Sequence, residues 1–122
     1  MKNDNVIEIK SKAFAIRIVR LYQYLSEQKK EFILSRQLLK SGTSIGANIK
    51  EAIRGQSKAD FVAKMNIALK ESSETEYWLE ILHETSYIDE AEYSGIYADN
   101  KELLKMLTSI IKTAKTNNPA LN

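Results

Sequence analysis

The residues best suited to chemistry in this chain are cations. Arg36, Lys40, Thr43, Ala47, Lys50 and Arg54 recur at steps of 4, 3, 4, 3 and 4, which puts four basic residues and no acid on one stripe of a helix. Spaced cations of this kind neutralise a phosphate backbone. Arg17, Arg20, Lys29, Lys30 and Lys58 extend the candidate set. The competing use of the same side chains is ion pairing, within a subunit or between subunits. Residues 1–58 hold twelve basic and five acidic side chains, residues 59–122 six basic and eleven acidic, and the formal net charge is +2. Such a division suits an anionic partner, or the attraction of one helix pair for another. Sequence leaves both readings open.

Other chemistry finds less support. Glu80-Ile-Leu-His83 has the Glu-x-x-His spacing of di-iron helical proteins, but that site needs a second copy and His83 is the chain's one histidine. Glu76, Glu80 and His83 are expected on a solvated acidic face. The pair Gly42 and Gly46 lacks the Gly-Lys-Ser/Thr ending and the preceding strand of a phosphate loop. Ser41, Thr43 and Ser44 have no adjacent base to activate them. Cysteine is absent, which removes disulfides, thiolate metal sites and cysteine nucleophiles together. Glu71 and Glu74 share a helix face with Ile67 and Trp78. They read as a polar network that sets helix register, with Asn48, Lys70 or Arg36 as partners, since buried charge is costly unless paired. The expectation is a protein with no catalytic residue, metal or cofactor.

Four amphipathic segments must carry the row. Ile7, Ser11, Phe14, Ile18, Leu21 and Leu25 repeat at 4, 3, 4, 3 and 4, predicting a helix over 7–26. The second is predicted over 31–55, its seam Leu34, Leu38, Ser41, Ile45, Asn48 and Ala52 running through two glycines. Each glycine costs about 1 kcal/mol in a helix interior. The cost makes sense if Gly42 and Gly46 admit a neighbouring helix at close range, and Asn48 joins them as a candidate packing residue. Ser57 with Asp60 forms a capping signal for a helix over 58–85. Its seam is Phe61, Met65, Ala68, Ser72, Thr75, Leu79 and Leu82. Asp89 with Glu92 opens a fourth helix over 89–116, with Tyr93, Tyr97, Asn100, Leu104, Leu107, Ile111 and Ala114 as its seam. Asn117-Asn118-Pro119 is the predicted stop, with a disordered tail.

The expected fold is therefore all-α, one domain over residues 1–122, an antiparallel up-down-up-down four-helix bundle. Two-sided apolar faces on the second and third helices, and Tyr22, Tyr24, Tyr77 and Trp78, exceed what one core needs; self-association is their outlet. No apolar run reaches the roughly 18–20 residues that span a bilayer, and the polar amino terminus is no signal peptide. A membrane is not expected as a partner, and the cytoplasm is the expected location.

Gln37-Leu38, Ser44-Ile45, Asn48-Ile49, Ser57, Asp60-Phe61, Ile67-Ala68, Glu74 and Leu79 together resemble the 23S rRNA intervening-sequence proteins, a family of four-helix bundle proteins. The likeness is strongest over residues 34–82. It differs at Leu39-Lys40, where an Arg-Arg pair is frequent, and at Asn48-Ile49-Lys50-Glu51-Ala52, where Asn-Ile-Ala-Glu-Gly is usual. The resemblance implies assembly as a homopentameric barrel. It also implies nucleic-acid binding through basic surface residues, as thought for the related accessory variability determinants of diversity-generating retroelements. The alternative is an adaptor oligomer that binds a protein such as a polymerase or reverse transcriptase.

Overall fold

The computed structural model describes residues 2–117, with side chains from Val6 onward. Among the described residues there are four α-helices and no strand: α1 (Lys2–Glu27), α2 (Leu34–Ile53), α3 (Lys58–Glu84) and α4 (Glu90–Asn117). The stop expected at Asn118-Pro119 and the tail beyond it lie outside the described residues. Consecutive helices pack on one another, and α1 meets α4 over a thinner seam.

The second, third and fourth helices each begin where a side chain takes over the work of a missing backbone partner. The Ser57 hydroxyl accepts the Asp60 N–H at 3.0 Å, and the Asp89 carboxylate accepts that of Glu92 at 2.8 Å. The start of α2 differs from the sequence expectation. The helix opens at Leu34 because Lys30 turns into the left-handed region (φ 56°) and Glu31 folds inward as a cap. Its carboxylate accepts the backbone N–H groups of Ile33, Leu34 and Ser35 at 3.2, 3.0 and 2.7 Å. An acid that meets three free amides at a helix start is favoured by hydrogen bonding and by the helix dipole.

The seams of α1 and of most of α3 are buried as their spacing predicts. Ile7, Ser11, Phe14, Ile18, Leu21 and Leu25 face inward, as do Met65, Ala68, Ser72, Thr75, Leu79 and Leu82. In α3, Val62 is buried ahead of Phe61, which is half-buried. The larger correction is α4. It buries Ile96, Asn100, Leu103, Leu107, Ile110, Ile111 and Ala114, and leaves Tyr93, Tyr97 and Leu104 half-buried. The tyrosines sit at the border because their rings and hydroxyls find polar company there. Tyr93 stacks on His83 with centroids 4.0 Å apart, and the Tyr97 hydroxyl donates to Glu76 at 3.0 Å. The face of α3 expected to be solvated is thus partly covered by α4.

Small residues fix the contacts at mid-length. A Cβ at Gly42 would lie 2.7 Å from Ile18 Cγ1, and one at Gly46 would lie 3.3 Å from the Ser11 carbonyl oxygen. The glycines therefore admit α1, while on the α3 side Thr75 donates to the Ser41 hydroxyl at 2.9 Å. Asn100 of α4 is bound twice by α3: its amide donates to the Ser72 carbonyl at 3.0 Å and its oxygen accepts the Ser72 hydroxyl at 2.9 Å. These groups are fully buried yet paired, so they specify which helix faces sit together at little cost. Asn48 is half-buried and bonds its own helix, donating to the Ser44 carbonyl at 2.8 Å.

Candidate functional site

The buried face of α2 holds Ser35, Leu38, Ser41, Gly42, Ile45, Ile49 and Ala52. At 100° per residue, Arg36, Lys40, Lys50 and Arg54 point to the far side, and all four are exposed. Arg54 is the residue that closes the helix. Among the described residues none of the four has a carboxylate oxygen within 4.0 Å. The acid nearest in sequence to Lys50 and Arg54, Glu51, is held instead by Lys64 of α3 at 2.9 Å. Lys50 and Arg54 also border a groove of about 560 Å³ with Glu51, Asp60 and Lys64 at the α2–α3 corner.

The remaining candidates are scattered. Lys29 and Lys30 are exposed in the α1–α2 turn, and the Lys29 ammonium lies 6.0 Å from the Tyr24 ring centroid. Lys58 is exposed at the start of α3 and borders a separate end cleft with Phe61 and Ile110. Arg20 is exposed on α1. Arg17 is engaged elsewhere: its two terminal nitrogens reach Glu92 at 2.6 Å and Asp99 at 3.0 Å, both on α4. Partial burial works against its charge. The bonds to Glu92 and Asp99 outweigh that, so the guanidinium is held more firmly protonated than usual. Lys10 pairs with Glu102 of α4 at 3.2 Å. The structure thus brings Arg36, Lys40, Lys50 and Arg54 onto one face and commits Arg17 and Lys10 to solvent-exposed ion pairs with α4.

Two residues that position these charges were not singled out from sequence. A Cβ at Gly95 would lie 2.7 Å from the Arg17 Nη2 atom. The glycine is the gap through which Arg17 reaches α4. Glu31 carries an inward charge where the sequence shows an acid among cations. Burial opposes its ionisation, but the three amides and Ser35 more than compensate, and the carboxyl is held below the usual glutamate range.

The acidic pair reads differently in three dimensions. Glu74 is exposed and accepts the Trp78 indole N–H at 3.1 Å, and Glu71 is half-buried. Neither forms an ion pair with Lys70 or Arg36 within 4.0 Å, so the expected buried network is absent among the described residues. Burial and the nearby Glu74 charge push the Glu71 carboxyl above the ordinary range. His83 faces Glu90 at 2.9 Å rather than a second histidine. Among the described residues no three potential ligands gather in a metal-binding group, and no helix is long and apolar enough to cross a membrane.

These features define an all-α, four-helix protein whose second helix presents unpaired cations outward. A family model for the 23S rRNA-intervening sequence protein matches residues 3–109, and the chain belongs to that family. It is also similar to a crystal structure of a protein with unknown function from the S23 ribosomal protein family of Bacteroides thetaiotaomicron VPI-5482. The TM-score is 0.89 at 57% identity, covering 90% of this chain and 98% of that one. No curated protein matches. Neither description names a reaction.

Proposed function

We propose that this is a non-enzymatic, cytoplasmic protein that binds structured RNA or RNA/DNA electrostatically through the outer face of α2. The supporting observation is the row itself: Arg36, Lys40, Lys50 and Arg54 are exposed with no carboxylate within 4.0 Å among the described residues, while Lys10 and Arg17 of α1 are paired with α4. Four repelling charges along one helix face are costly to keep unless an anion meets them. Four phosphate contacts would make affinity fall about a hundredfold between roughly 50 and 200 mM salt. Changing Arg36, Lys40, Lys50 and Arg54 together to Ala is expected to abolish binding of a structured RNA at low salt while the fold persists. Undiminished binding would remove the row from this reading.

The helices are taken to form an antiparallel up-down-up-down bundle. Supporting contacts pair Ser11 with Gly46 and Ile18 with Gly42, Glu51 with Lys64 and Ser41 with Thr75, so numbers rise along one helix as they fall along the next. Self-association is part of the same reading, with five copies implied by the family likeness. Apolar outer faces support it: Ile9 and Ile16 on α1 are 69% and 47% exposed, and Tyr77 on α3 is 55% exposed. Those faces also support the second reading, an adaptor that binds a polymerase-like protein without touching nucleic acid. Capture of such a partner that survives nuclease treatment would favour it, and sedimentation of the purified protein gives the subunit number.

A further inference from the structure

The turn between α1 and α2 holds an aromatic ring out in water among cations. Phe32 is 47% exposed and Tyr24, at the end of α1, is 42% exposed. The ring is displayed on a stiff support. Lys30 takes the left-handed conformation, the Glu31 N–H donates to the Leu25 carbonyl at 2.9 Å, and the Ser35 hydroxyl returns to the Glu31 carbonyl at 2.7 Å. With the Glu31 carboxylate spent on three amides, the turn has little freedom to tuck Phe32 away.

The exposed charges nearest the ring in the chain are positive. Glu31 is the one acid between Glu27 and Glu51, and it faces inward, 9% exposed. Lys29, Lys30 and Arg36 are exposed and, among the described residues, lie beyond 4.0 Å of any carboxylate oxygen. Phe32 lies just outside α2, two residues before the helix opens at Leu34 and four before Arg36 in the chain. Asp89 and Glu90, across the cleft that Tyr24 and Lys29 border, would repel an anionic strand and leave it the α2 side.

We infer that this turn is a base-stacking site for an unpaired base of a single-stranded polynucleotide whose phosphates follow the α2 row. The inference rests on the proposed function of that row and adds the ligand's class: a strand with at least one exposed base face, since a duplex keeps its bases stacked inside. Cations beside an aromatic platform are the general arrangement for binding single strands with little sequence preference.

The test measures binding of labelled single-stranded RNA, single-stranded DNA and a matching duplex, each of about ten nucleotides, to the intact protein and to Phe32→Ala, Phe32→Leu and Phe32→Trp. Both Phe32→Ala and Phe32→Leu should weaken single-strand binding about 5- to 150-fold and leave the duplex nearly unchanged. Phe32→Trp should retain affinity and show indole fluorescence quenched by the strand, over the constant signal of Trp78. A larger loss on RNA or on DNA tells which strand the site prefers. Equal effects on strand and duplex, or none on either, would overturn the inference, as would a change of subunit number in Phe32→Ala, which would make the corner a contact between copies. The two proposals fail separately. Loss of binding in the α2-row variant with Phe32→Ala unaffected sinks only the stacking site. No binding by the intact protein to any of the three probes sinks the row as well.

Discussion

Cations on α1 and on α2 begin from the same sequence signal and end in opposite surroundings. On α1, Arg17 and Lys10 look across a thin seam at Glu92, Asp99 and Glu102 of α4, and each is paired. On α2, Arg36, Lys40, Lys50 and Arg54 lie on the side away from the core and, among the described residues, have no carboxylate oxygen within 4.0 Å, although Asp60 borders the groove of Lys50 and Arg54 and Glu71 feels the charge of Lys40; Glu51 is taken by Lys64. The packing order decides this. Because α2 is flanked by α1 and α3, its far side meets water, whereas α1 and α4 are neighbours across their polar borders. The lesson is that a basic half and an acidic half need not neutralise one another uniformly. Where two helices adjoin, opposite charges pair. Where a helix has its back to solvent, the charge stays available.

That contrast can be broken most strongly through the close approach of α1 to α2. Gly42→Leu drives a side chain into Ile18, whose atoms lie 2.7–2.9 Å from even a Cβ. The cost should be about 2–3 kcal/mol, read as an earlier midpoint in urea. Gly46→Ala meets the Ser11 backbone at 3.3 Å and regains helix propensity, so it should lie within about 1 kcal/mol of the parent.

Next in size is the cap that lets the α2 row begin where it does. Glu31→Ala should cost about 1–2 kcal/mol at neutral pH. Its folded-state carboxyl is held below the ordinary range, so the unfolded state binds more protons there. The stabilisation is therefore fully present above the ordinary glutamate range and is lost as pH falls through the lowered folded value. Thermal melts across acid pH should show a shallower acid limb for Glu31→Gln than for the parent.

Smaller effects sharpen the distinction between the paired and the unpaired cations. Arg17→Gln should cost at most about 1 kcal/mol, because its side chain is 37% exposed and solvent screens the pairs. Removing the four α2 cations should leave stability unchanged or raise it by about 0.5 kcal/mol, since Arg36–Lys40 and Lys50–Arg54 are like charges four residues apart. Of similar size is Gly95→Ala. It pushes aside the Arg17 tip at the loss of exposed ion pairs, but gains about 1 kcal/mol of helix propensity. A net change between zero and about 1 kcal/mol toward greater stability is expected by thermal melting.

Much of this architecture was legible in the spacing of apolar residues. Periodicity predicted the buried faces of α1 and most of α3, the outward direction of the α2 row and the caps at Ser57 and Asp89, because those follow from local geometry alone. It misjudged α4, where tyrosines counted as core residues are held at the border by His83 and Glu76. It also missed Glu31 and Gly95. An inward-turned acid and a gap for a distant guanidinium depend on what lies across the interface, which spacing within one helix does not encode. For the same reason it could list Arg17 with Arg36 but could not separate them. The exposure of Phe32 likewise comes from a left-handed turn at Lys30, a residue type that gives no warning of it.

The contrast between the two helices is tested most directly by the salt dependence of RNA binding. The slope of log affinity against log salt is measured for the parent, for an α2 variant lacking only Lys40 and Lys50, and for an α1 variant lacking Lys10 and Arg17. The account predicts a slope shallower by about 0.7–0.9 for each α2 cation removed, and one near the parent's for the α1 variant. Equal slopes in all three proteins, or a loss confined to the α1 variant, would contradict it.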